Sequence, residues 1–368
     1  MRWNEISRGR RIAWLTALTS GPVTLLLMEI AFQYPAHTER IYGEWLYPRI
    51  ASVLGAVNRL FPFSLAQLAA LCVLVGGILY LVLRKRRGGS RLARVGRAFA
   101  VVWAVAGIIA FSFVASWGLN YARPTLEERL ELSTLDIELE EVLDAGKRCA
   151  ALATQLHTSL GQPVDEPTIS PLGFARLNEL IDLRLKDLRL PGDRIKPPTS
   201  PAKKIWGSSA MAYLGLSGIF VAFTGEPSIN SIVPDASLPI VVAHEKAHQR
   251  GIANEGEANL VAFMACSGAS DSAYVSYAAY LYATGQLLGA ASQQSREEAK
   301  SAWAALGPGP RRDLVAIQEF WDRYHGPAAE AADKVNDAYL RSFRVPGGVH
   351  SYRRVVQLLV ALDREGKL

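Results

Sequence analysis

The stretch from Ser237 to Cys266, SLPIVVAHEKAHQRGIANEGEANLVAFMAC, holds the motif His244-Glu245-Lys246-Ala247-His248. On a helix, histidines four residues apart share one face, so both rings can bind one zinc ion. Glu245 then lies beside the metal, where it can take a proton from a zinc-bound water as the catalytic base. The motif needs a helix, and the apolar residues Leu238, Ile240, Val241 and Val242 predict one buried against a core. In a chain with six His, the motif is expected by chance on the order of 0.005 times.

A catalytic zinc takes three protein ligands and keeps a fourth position open. Gly251 can end the motif helix and turn the chain back. Asn254 stands where a metzincin would carry its third histidine, which excludes that class. Glu255 and Glu257 remain, about 200° apart on a helix, so only one can face the metal. Glu255 shares its face with Ala258, Asn259, Ala262 and Cys266, small or polar residues that allow close approach to the motif helix. Glu257 shares its face with Leu260, Val261 and Met264, which read as core. The predicted metal ligands are His244, His248 and Glu255, with Glu257 as the alternative third ligand. Asn259 follows Glu255 by one turn, the Glu-x-x-x-Asp/Asn spacing of gluzincins, and is expected to orient a ligand histidine. For the oxyanion the candidates are Tyr277, His325, His350 and Tyr352, each with an ordinary structural role as its competing reading. Residues Gly218 to Glu226 are placed to form an edge strand beside the motif helix, or an ordinary hairpin.

Outward from this region the composition divides. The 368 residues are 50% hydrophobic and 20% charged, too apolar for an ordinary soluble protein and too polar for a chain that is membrane throughout. The apolar surplus lies in three stretches, about 12–32, 65–83 and 98–119, each close to the ~20 residues of a membrane-spanning helix. Arg2, Arg8, Arg10 and Arg11 precede the first, and seven Lys or Arg fill residues 84–97 between the second and third. These flanks are expected to be cytoplasmic, which puts everything after the third span outside. Without these two segments the chain is net acidic, so the overall charge of +6 is a topology signal and nucleic acid is excluded as a partner. Cys72, Cys149 and Cys266 form no disulfide framework, and the last two are expected as buried thiols.

The expected division is a membrane anchor over 1–120 and an extracytoplasmic domain over 121–368. The domain reads as mainly α, with a small β-hairpin or sheet before the motif helix. Ser133 or Thr134 can cap a helix running to Leu160, Leu172–Leu188 forms another, and the uncharged stretch Ser272–Ser295 reads as a buried helix.

WGLNYARP (117–124), FTGEPSIN (223–230), HEKAHQRG (244–251), EGEAN (255–259) and GGVHSY (347–352) together resemble an uncharacterised bacterial family of membrane proteins, domain-of-unknown-function family 3810. The resemblance covers nearly the whole chain and implies a zincin-like domain outside the membrane. The resulting expectation is a zinc metallopeptidase of the bacterial inner membrane, acting on a peptide or protein substrate at the outer face of the lipid bilayer. The competing expectation is a non-peptidase zinc-binding or regulatory membrane protein that keeps the fold. A fourth protein ligand closing the zinc site would favour the latter.

Overall fold

The computed structural model describes residues 8–83, 91–195, 199–268, 271–348 and 354–368. The chain begins with α1 (Arg8–Gln33), α2 (Pro35–Thr38), a π-helical segment (Glu39–Leu46) and α3 (Tyr47–Arg59), then α4 (Leu65–Leu83) and α5 (Arg91–Ser116). A 3-10 turn (Gly118–Ala122) leads into α6 (Leu126–Leu130), α7 (Leu139–Leu160) and α8 (Phe174–Asp187). Next come β1 (Lys203–Lys204), α9 (Ser208–Tyr213), β2 (Gly218–Val221) and β3 (Glu226–Ile229). The rest is helical: α10 (Leu238–Gln249), α11 (Glu255–Ser267), α12 (Ala273–Gln294), α13 (Arg296–Trp303), α14 (Pro308–Tyr324), α15 (Pro327–Ser342) and α16 (Arg354–Arg364). The fold is therefore mainly α, with one three-stranded sheet.

Two helical stretches, Ile12–Gln33 and Ala98–Ser116, are long and apolar enough to cross a membrane. Only 17% of each is buried, so neither is the core helix of a soluble protein, and together they suggest a membrane anchor. Three such stretches were expected. Residues 65–83 do form α4, but the apolar part that counts, Leu65–Leu79, is shorter; it covers about 22 Å at ~1.5 Å per residue, against a hydrocarbon core of about 30 Å. The last span also ends earlier than expected, at Ser116. Trp117 leaves helical geometry at φ −153°, and Trp117, Gly118 and Leu119 are buried in protein.

Helices α1 and α5 cross at small residues. A Cβ on Gly107 would lie 2.8 Å from the backbone nitrogen of Gly21, and the Trp103 indole donates to the Leu18 carbonyl at 3.1 Å. These contacts advance together along both chains, so the two helices run parallel.

In the domain, α12 packs along α7, while α11 lies between α10, α12 and α16. The expected helix over Ser272–Ser295 is present and buried; its uncharged sequence suits contact on all sides. Helix α7 starts later than expected. Glu138 and Glu141 form a reciprocal cap at its start, and residues 133–138 are turn and coil. Cys149 and Cys266 are buried free thiols.

The sheet has the order β1-β3-β2, with β1 parallel and β2 antiparallel to β3. The expected strand over Gly218–Glu226 is divided: Gly218–Val221 forms the edge strand and Glu226 belongs to β3. Glu226 is fully buried and ties the sheet to the start of α4. It accepts from the Leu65 N–H at 3.0 Å and pairs with Lys203 at 3.2 Å.

Candidate metal centre

Helix α10 carries Pro239 in its first turn, where the missing N–H costs nothing, and the helix is buried almost throughout. Its C-terminal carbonyls are held by Trp117, just beyond the apolar helix α5, and by Tyr47 at the start of α3. The Trp117 indole donates to the His248 carbonyl at 3.0 Å, and the Tyr47 hydroxyl donates to that of Gln249 at 2.7 Å. Arg123 donates to the Gly251 carbonyl at 3.3 Å and pairs with Glu39 at 2.6 Å. Gly251 has φ +79°, and a Cβ there would lie within 2.9 Å of Arg123, Asn120 and Tyr47. Only glycine fits that left-handed turn. Asn254 then caps α11 by accepting from the Gly256 and Glu257 N–H groups.

The turn brings α11 back against α10 and gathers His244, His248 and Glu255. Glu255 Oε2 lies 3.2 Å from His244 Nε2 and 3.3 Å from His248 Nε2, and the two imidazole nitrogens are 3.0 Å apart. Ligands about 2.1 Å from one tetrahedral ion stand roughly 3.3–3.5 Å from one another, so the three atoms are spaced closely enough to hold one metal ion. His248 Nδ1 faces the Ile252 carbonyl and His244 Nδ1 faces the Asn259 side-chain oxygen, each at 2.8 Å. Both partners accept, so each Nδ1 carries a proton, and with a metal bound each Nε2 would turn a lone pair inward. Two lone pairs and a carboxylate then converge, an arrangement that a cation stabilises.

The charges of these side chains follow from burial and from one another. Burial acts to lower His248, but the adjacent Glu255 carboxylate overrides it and raises the ring to about 9. Burial acts to raise Glu255, but His248 and hydrogen bonds from both rings hold its carboxyl well below the usual range. Glu245 is raised by burial, against the pull of His244 and His248. The Phe220 backbone N–H of β2 acts to lower it, and a Cβ on Gly218 would lie 2.5 Å from its Oε1. Edge strand and motif glutamate are thus in contact.

The remaining predicted residues lie elsewhere. Glu257 Oε1 accepts from the Leu126 N–H at 2.7 Å, at the start of α6, and burial raises its carboxyl to about 7. Tyr277 donates to Asp313 and meets the His157 ring edge-on, so its hydroxyl is engaged between α12 and α14 and not at the cluster. His325 is exposed at the end of α14. His350 and Tyr352 lie outside the described residues.

The family model for "Protein of unknown function (DUF3810)" matches residues 42–360. The chain belongs to this family. No curated protein and no solved structure matches it. The matched region takes in the metal cluster and most of the segments that brace it.

The sequence reading missed three residues beside the cluster. Trp117 sets its ring edge-on to His248, with centroids 6.1 Å apart. Tyr339, on α15, feels the charge of Glu255; burial first, and that charge after it, raise its phenol. Tyr121 donates to the Tyr339 hydroxyl at 3.2 Å. Trp117 and Tyr121 belong to WGLNYARP, but nothing in that string points to helix α10. Tyr339 follows the motif by some ninety residues with no recognisable spacing.

Proposed function

We propose that the protein is a membrane-anchored zinc metallopeptidase whose domain hydrolyses peptide bonds outside the cytoplasm, with no role for nucleic acid. The observation that carries this is the convergence of His244, His248 and Glu255 with the buried Glu245 at a sheet edge. Two imidazoles and a carboxylate are the donor set of catalytic zinc. Among the described residues no fourth His, Cys, Asp or Glu joins the cluster, which favours an open site over a closed structural one. Bound there, zinc would supply Lewis-acid polarisation of the scissile carbonyl.

The residues of the chain divide the remaining work. Asn259 and Ile252 fix the two histidine tautomers. Glu245, raised by burial and packed against Gly218 of β2, accepts a proton from the attacking water and returns it to the leaving amine. Strand β2 offers a free edge beside it, on which an extended peptide can pair. Tyr339, which the Glu255 charge reaches and Tyr121 steadies, is our candidate for the oxyanion role in place of Tyr277.

The extracytoplasmic placement of the domain is supported by helix direction. Two parallel spans need a return crossing between them, and α4 is the apolar helix on that stretch. Its Leu71, Val73, Leu74 and Val82 are exposed, as suits lipid contact.

Purified protein is expected to carry one zinc per chain. His244→Ala loses the metal, while Glu245→Gln keeps it and loses peptide cleavage. Folded wild-type protein without zinc, by metal analysis, overturns the reading.

A further inference from the structure

We infer that the substrate is itself membrane-anchored and is cut within a few residues of the bilayer surface. This rests on the peptidase reading above and names its substrate class.

The chain places no spacer between membrane helix and metal cluster. Ser116 ends the apolar stretch of α5, and the next residue, Trp117, donates to the His248 carbonyl at 3.0 Å. The edge strand descends from the cluster toward the same level. Its Phe220 N–H meets Glu245, while Phe223, at the hairpin tip, lies 6.1 Å ring to ring from Phe113. Phe113 is inside the apolar stretch, one turn before its end. Phe223 is 50% exposed and Ile219 is 44% exposed, so the strand carries apolar surface beside its free edge.

A peptide paired along β2 follows that line. At ~3.3 Å per residue, the four residues of β2 cover only about 13 Å. With the scissile bond at the cluster, the residues opposite the hairpin tip already reach the end of the span. A chain that emerges from the bilayer there meets the strand edge directly. A soluble peptide must bring its backbone down to the membrane surface first. Anchoring also confines the substrate to the same plane and raises its effective concentration toward the millimolar range.

The test uses the full-length zinc-loaded protein in phosphatidylethanolamine–phosphatidylglycerol vesicles. The probe is a mixed-sequence pool of tails about thirty residues long, either free or fused to one apolar helix of about twenty residues. Cleavage sites are read by mass spectrometry. The anchored pool is expected to be cut at least about tenfold faster, with sites clustered within about six residues of the helix end. Equal rates, or sites spread along the tail, overturn the inference while leaving the peptidase reading intact. No cleavage of either pool overturns the peptidase reading and this one with it. Phe223→Ser, at an exposed position, is expected to keep zinc and lower the anchored-to-free ratio about threefold or more; an unchanged ratio counts against the inference.

Discussion

Glu255 Oε2 lies 3.2 and 3.3 Å from the two imidazole nitrogens, whereas Glu257 Oε1 lies 2.7 Å from the Leu126 N–H. Two residues on a helix separate these tasks by about 200°. Removing the Glu255 charge takes a ligand from the metal, while Gln at 257 still offers an oxygen to Leu126. Glu255→Gln should therefore lower zinc affinity by on the order of a hundredfold or more, and Glu257→Gln should leave zinc content unchanged. Metal titration of both variants checks this, and the reverse pattern would refute the ligand assignment. Asn259→Ala frees the His244 ring and should weaken zinc binding roughly 10–100-fold, the usual loss when the partner of a ligand histidine is removed. Tyr339→Phe should keep zinc and KM but lower kcat about tenfold or more, because an oxyanion donor acts only in the transition state. An unchanged kcat would remove Tyr339 from the mechanism.

At the scale of elements, the cluster depends on where α10 ends and how β2 lies on it. Arg123 and Glu39 have side chains only 3% and 14% exposed, and Arg123 also holds the turn at Gly251. Arg123→Met leaves Glu39 with only the more distant Arg129, at 3.8 Å, and should cost about 2–3 kcal/mol. Pairing it with Glu39→Leu should restore much of that, as thermal unfolding of the single and double variants can measure. On the other side, Gly218→Val drives a side chain into Glu245 and should reduce cleavage at least tenfold with zinc retained. Helices α10 and α11 were legible in the sequence because local rules set them: a four-residue histidine spacing, an apolar run before it, and small residues beside Glu255. The clamp on α10 was not legible. Trp117 and Tyr47 reach carbonyls more than a hundred residues away, and no periodicity encodes such contacts. Residues 37–63, which join the first two apolar stretches, are largely helical, and Tyr42 and Tyr47 share a core with Trp117 and Phe343.

At the scale of the whole molecule, the direction of the membrane helices decides where the metal cluster works. The Trp103–Leu18 and Gly107–Gly21 contacts make α1 and α5 parallel. Two parallel crossings of one bilayer oblige the chain between them to return once. Helix α4 starts on the domain side, where Glu226 accepts from the Leu65 N–H at 3.0 Å. At ~1.5 Å per residue its nineteen residues cover about 28 Å, although the apolar stretch Leu65–Leu79 covers only about 22 Å of the ~30 Å hydrocarbon core. Its far end leads into residues 84–97, which carry seven Lys or Arg and so favour the cytoplasmic face. On the proposed reading, in which α4 makes that return crossing, the domain at the opposite end of these helices would lie outside. A reporter active only in the cytoplasm should be silent when fused after Leu368 and bright when inserted within residues 84–90. A bright signal at Leu368 would mean that α4 does not cross, and the cluster would face cytoplasmic substrates instead.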